Sequence, residues 1–276
     1  MPIFPPWTQT VVILIVFLAG WTVMLREWRR RKSGLDGFMT TYRQGDFAGA
    51  LRAIESLRGQ PIAYCAFYGS IQLQRGNLDE AEQSFRKGIE LAEQRGSSAG
   101  RSQGQRKLAA LRWEMLGQLH LERQRYEEAL RCFDTGLSIW PGHGPFHRAI
   151  AETWLRRGNG PAEALKWAEM AVAEERVEPV TSPLLHGTNL GEALATQAWA
   201  VAAATRDRTQ VDRLVAEAVS AVGDLAVTSC AQVHYQSGRA YEALGDTERS
   251  AHCFEEASRI DPRGRWGRAA RAMASA

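Results

Sequence analysis

Cysteine is scarce in this chain, and what there is does not pair. Cys65, Cys132, Cys230 and Cys253 offer no C-x-x-C spacing, so small, half-buried packing explains them better than metal ligation. A phosphate loop is missing too. Gly96 to Ser102 is rich in glycine and serine, but it lacks the Gly-Lys-Ser/Thr ending and no strand precedes it. His143 and His147 stand four apart, the spacing of two imidazoles on one helix face. Pro145 lies between them, and no neighbouring Cys, Asp or Glu supplies a third ligand. Acidic pairs such as Asp79-Glu80, Glu127-Glu128 and Glu255-Glu256 read as solvated first-turn charges that suit a helix dipole. No catalytic constellation remains. The expectation is a protein that is not an enzyme and needs no cofactor and no metal.

Charge is absent from Trp7 to Leu25, nineteen residues in all. At about 1.5 Å per residue such a helix is long enough for a hydrocarbon core of about 30 Å. Trp7, Trp21 and Trp28 lie toward its ends, where indole favours the interface. A cleaved secretory signal fits poorly. No Lys or Arg precedes the run, no small-x-small site follows it, and Phe17 to Trp21 holds no lipoprotein cysteine. The segment Arg26-Glu27-Trp28-Arg29-Arg30-Arg31-Lys32 comes next, and positive flanks mark the cytoplasmic side. The expectation is a single-pass protein of the cell (inner or plasma) membrane, N-terminus out, with its C-terminal domain cytoplasmic. Residues 7–25 would meet the bilayer and basic residues 26–32 its anionic headgroups. Reduced cysteines agree with that side.

Positive charge is short in the body of the chain, although the whole carries +3. Residues 26–32 hold a net +4 and Arg263, Arg265, Arg268 and Arg271 another +4, which leaves −5 on residues 33–262. A mildly acidic body with two basic ends does not make a nucleic-acid-binding face.

A comb of small and aromatic residues is present. Gly69, Ala81, Phe85 and Gly88 are spaced 0, 12, 16 and 19. Gly117, Ala129, Phe133 and Gly136 repeat the spacing, as do Gly238, Ser250, Phe254 and Ala257. A helix pair accounts for it. The first residue allows close approach of helix A, and the other three fall on one face of helix B. Four copies turn at Gly45-Asp46, Gly76-Asn77, Gly158-Asn159 and Gly245-Asp246, where glycine ends one helix and Asp or Asn starts the next.

This pattern resembles the tetratricopeptide repeat, in the segments YGSIQLQRGNLDEAEQSFRKGIEL, LGQLHLERQRYEEALRCFDTGLSIWP and SGRAYEALGDTERSAHCFEEASRIDP. The resemblance implies an all-α solenoid of about six helix pairs, preceded here by one N-terminal transmembrane helix. The parts are a stub (1–6), the membrane helix (7–25), a basic juxtamembrane segment (26–33), the solenoid (34–262) and a basic C-terminal cap or tail (263–276). Turn formers and polar residues predict breaks near 96–105 and 178–187. The first pair is degenerate, with Phe38, Ala50, Ile54 and Leu57 on the comb. The fifth is the weakest, with Trp199, Val211, Val215 and Ala218. Trp113, Trp154 and Trp199 fall at helix A positions that bury against a neighbour.

A solenoid of this kind is a binding surface. Aligning the repeats places Glu114, Gln118 and Glu122 on the concave groove from the third, Arg148, Glu152 and Arg156 from the fourth, and Tyr235 and Arg239 from the sixth. Mixed charge with an aromatic suits an extended peptide or a partner helix. Two roles follow for a protein or peptide partner that is itself membrane-associated. One is a membrane-anchored scaffold for complex assembly. The other is a tethered receptor that captures peptide segments. Chaperone-binding relatives clamp a carboxylate with Lys and Asn, and the matching positions here are Ala66, Ser70, Glu114 and Gln118, which argues against that activity.

Overall fold

The computed structural model describes residues 36–94, 103–177, 183–223 and 226–274, and among them every regular element is helical. The expected membrane helix at 7–25 and the basic segment at 26–33 lie outside the described residues. No helix among those described is long and apolar enough to cross a membrane.

The helices come in pairs. Helical residues 36–43 (α1) precede α2, Phe47–Ile54, which ends in a 3-10 turn at Glu55–Leu57. The next pairs are α3 (Pro61–Arg75) with α4 (Leu78–Gln94), and α5 (Gln103–Glu122) with α6 (Tyr126–Ile139). Then come α7 (Gly144–Arg157) with α8 (Pro161–Val177), and α9 (Pro183–Ala204) with α10 (Arg208–Val222). α11 (Val227–Leu244) and α12 (Thr247–Ile260) complete the array, and α13 (Arg265–Ala274) follows. Helix enters both expected breaks, since α5 begins at Gln103 and α9 at Pro183. A proline suits a first helical turn, whose N–H groups have no partner inside the helix.

The comb is the packing code of each pair. Had Gly238 a Cβ, it would stand 2.6 Å from the ring of Phe254; Gly69 and Gly117 face Phe85 and Phe133 in the same way. Helix A therefore rests directly on the aromatic of its own helix B. Ala81, Ala129 and Ala257 are fully buried beside these rings. The degenerate pairs obey the same geometry, with Phe38, Ala50, Ile54 and Leu57 buried in the first and Trp199, Val211, Val215 and Ala218 in the fifth.

Each pair also turns on one left-handed residue. Gly45, Gly76, Gly158 and Gly245 have φ between 72° and 84°. The third and fifth pairs lack glycine there, and Gln124 (φ 58°) and Arg206 (φ 57°) adopt the same conformation. The side chains of Asp46, Asp207 and Asp246 then accept the N–H groups of Gly49, Gln210 and Arg249 and start the next helix.

Odd-numbered helices form one layer, α3 against α5, α5 against α7, α7 against α9 and α9 against α11. We call that layer the inner one, because the last helix of the array, α13, reaches back to its member α3. α13 packs on α11 and α12 and also reaches α3. Nη1 of Arg268 donates to the main-chain oxygen of Gln74 at 2.9 Å. A Cβ on Gly45 would lie 3.5 Å from Oδ1 of Asp261 and 3.6 Å from Val227. The solenoid thus closes, first repeat to last, with α13 across the junction.

Candidate functional site

The inner layer carries a buried polar ladder beside its apolar core. Arg148 and Glu152 sit one turn apart on α7, and Arg156 one turn beyond, so all three point to one face. Arg156 holds Glu152 at 2.7 Å and Glu122 of α5 at 3.1 Å. Arg148 holds Glu192 of α9 at 3.1 Å. Glu152 is fully buried and accepts a 3.4 Å hydrogen bond from Nε2 of Gln236 on α11, whose Oε1 accepts from the hydroxyl of Thr196 on α9. Three inner helices are cross-linked by that short chain.

Position and charge are mutually enforcing here. Burial alone would pull the guanidinium of Arg148 down, but Glu192, Glu152 and Glu114 outweigh it and raise it above the ordinary arginine value. Arg156 is raised in the same way, with Glu152 and Glu122 overcoming desolvation. For Glu122, burial pushes the carboxyl up, while Arg156 and Arg265 push harder and hold it below the ordinary range. Ionised pairs of this kind persist only when each charge keeps its partner.

All eight residues expected on the groove lie on inner helices, and the structure joins most of them directly. Glu122, Arg156 and Glu152 form one ion-pair chain. Gln118 accepts from Arg265 of α13 at 3.3 Å. Tyr235 packs on Trp266 of α13, centroids 5.3 Å apart, and on Phe254. Arg239 lies over Trp199 at 4.7 Å and pairs with Glu242 at 2.7 Å. Glu114 stands apart from the chain, 3.9 Å from Nε2 of His143. Arg148 is buried and reaches α9.

Five further residues belong to this site and escape sequence alignment: Glu192, Thr196, Gln236, Arg265 and Trp266. The fifth repeat is the most divergent, which hides Glu192 and Thr196. Trp266 leaves a trace, since Trp266, Ala270 and Met273 are spaced i, i+4 and i+7, an amphipathic helix within a basic segment.

The two histidines find acids that their sequence neighbourhood does not show. Nδ1 of His147 stands 2.6 Å from Glu174 of α8, and His143 stacks on Trp140 with centroids 3.8 Å apart. Among the described residues no group of three or more His, Cys, Asp or Glu is arranged to hold a metal ion. All four cysteines are buried free thiols.

Family models described as tetratricopeptide repeat match residues 62–95, 114–177 and 231–264. These are α3–α4, most of α5 through α8, and α11–α12, so tetratricopeptide repeats are recognised along the array. No curated protein sequence matches the chain. Several solved structures are similar at low identity. BtubC (BKLC) from P. vanneervenii is 13% identical, over 86% of this chain and 91% of that one, with a TM-score of 0.48. A tetratricopeptide repeat protein from Parabacteroides merdae ATCC 43184 is 15% identical over 90% of this chain and 98% of its own, TM-score 0.39. YrrB, described as a TPR protein with an unusual peptide-binding site, is 18% identical over 80% and 96%, TM-score 0.32.

Proposed function

We propose that this array of tetratricopeptide repeats is a protein-interaction scaffold, held at the cytoplasmic face of a membrane by residues 7–25 and the basic residues 26–32. The partner is a membrane-associated protein, received on the inner face formed by α5, α7 and α11. One observation carries the reading: polar and charged side chains converge on the inner layer, where a purely structural solenoid would bury alkyl groups. Buried ion pairs rarely add stability over apolar packing of the same volume, so their concentration on one face points to recognition. Anchoring adds affinity without new contacts, because it raises the effective concentration of a partner in the same membrane.

Capture of free peptides in an open groove fits less well. Arg148 and Arg156 are already paired with Glu192, Glu122 and Glu152, so a peptide carboxylate would compete with partners in place. Reversing Arg148 to Glu would also set a buried negative charge beside Glu192, a change of about 3–5 kcal/mol that compromises folding. Crosslinking in native membranes is the cleaner test. The scaffold reading expects one membrane protein in stoichiometric yield, with crosslinks on α5, α7 or α11. Protection of a C-terminal tag from protease added outside intact cells checks the topology, and degradation of that tag would overturn it.

A further inference from the structure

The inner face already holds a helix. α13 is short and basic, and it is joined to α12 through Asp261-Pro262-Arg263-Gly264, of which Pro262 and Arg263 are exposed. Its Arg265 reaches Gln118 at 3.3 Å and Glu122 at 3.6 Å. Its Trp266 is buried against Tyr235, with Arg156 5.6 Å from the indole. Its Arg268 takes the main-chain oxygen of Gln74. Each of these groups that receives α13 on α3 and α5 is an acceptor: a carbonyl, an amide oxygen or a carboxylate. α11 adds an aromatic ring.

We infer that α13 is a ligand in cis for the inner groove, and that the partner this groove fits is a basic amphipathic helix bearing the same guanidinium-then-indole pair. The inference rests on the reading that partners bind on the inner face. Complementarity of charge supports it, since residues 33–262 are net −5 and the segment after them is +4. The packing of α13 supports it too. α13 buries Arg265, Trp266 and Ala270 with part of Met273, and Trp266 and Ala270 sit at the edge of one core with Tyr235 of α11 and Phe254 and Ala257 of α12. A terminal helix of ten residues behind the exposed Pro262-Arg263 link opens before the array does. Its tether supplies a high local concentration, so an incoming helix must match α13's contacts to displace it.

Two measurements on the full chain in detergent micelles decide the matter. The first is hydrogen exchange read by mass spectrometry. Amides of α13 should exchange at least tenfold faster than those of α11 and α12; equal rates would make α13 a fixed cap and overturn the inference. The second uses a labelled peptide of residues 261–274. The full-chain variant Trp266→Ala should bind it at least tenfold tighter than the native chain does, and a peptide carrying Arg265→Glu should not bind. No gain in binding, or loss of helicity in the Trp266→Ala chain, also counts against a displaceable helix. Native-partner crosslinks confined to even-numbered helices would end the groove reading while leaving the exchange and peptide results intact. Inner-face crosslinks with slow α13 exchange would end this inference alone.

Discussion

Gly117 meets the ring of Phe133 so closely that a Cβ on the glycine would stand 2.7 Å from Cδ1. The ring is fully buried and also packs edge-on against Phe146 of the next repeat, so it cannot yield freely. Gly117→Ala should therefore destabilise the array by about 1–3 kcal/mol, the usual cost of overpacking. Gly59, where an added methyl would meet nothing within 4 Å, is the control, and Gly59→Ala should stay within about 0.5 kcal/mol of the parent. Urea midpoints for the two variants check both; equal midpoints would show that the close approach has no energetic weight.

Arg206 pays for a turn that glycine makes elsewhere. It is exposed and left-handed, at φ 57°. A side chain there costs about 1–2 kcal/mol, of which glycine would return part, since its own unfolded chain is freer by about 0.5–1 kcal/mol. Arg206→Gly should raise stability by about 0.5–1 kcal/mol on balance. Gly245→Ala, at φ 76°, should do the reverse. Thermal unfolding of the pair reads the sign directly.

Two thiols should be chemically silent. Burial pushes Cys132 and Cys253 up to about 11, so almost no thiolate exists near neutral pH and the thiolate is the nucleophile. Iodoacetamide at mildly alkaline pH should leave both unmodified in the folded protein and label both in urea. Peptide mass spectrometry that found either labelled at the same rate in both states would contradict the burial.

Glu122 ties α5 to α7 and to α13, and its carboxyl is held below the ordinary glutamate range because Arg156 and Arg265 outweigh burial. A depressed carboxylate stabilises the fold above its unfolded value and loses that contribution as pH falls through the folded one. Melting temperature should thus drop between about pH 5 and about pH 3, and the drop should be smaller in Glu122→Gln. Identical acid slopes for the two proteins would remove Glu122 from the network.

Much of the fold was legible in the sequence, because one contact was written three times. Gly69 with Phe85, Gly117 with Phe133 and Gly238 with Phe254 give spacing and geometry together. Glu114, Gln118 and Glu122 are followed one repeat period later by Arg148, Glu152 and Arg156, so the sequence shows that these positions are equivalent. What they touch was not legible. Arg148 meets Glu192, and Gln236 meets Glu152 across 84 positions, partners chosen by how steeply the superhelix winds, which no single repeat encodes. The left-handed residues Gln124 and Arg206 were hidden for a related reason, since tertiary packing imposed a turn that the local sequence resists. α13 illustrates both, for its amphipathic spacing was visible and its destination was not.

The bond from Arg268 to Gln74 spans 194 positions, a distant closure in an array of otherwise local repeats. A chain made at about 5–20 residues per second needs about 10–40 s to travel that far. Throughout that interval the nascent repeats α3 to α8 have their own hydrophobic cores but no α13 to shelter Gln118, Glu122 and the Gln74 carbonyl. Gln118, Glu122 and the Gln74 carbonyl are therefore exposed first and covered last in every copy made.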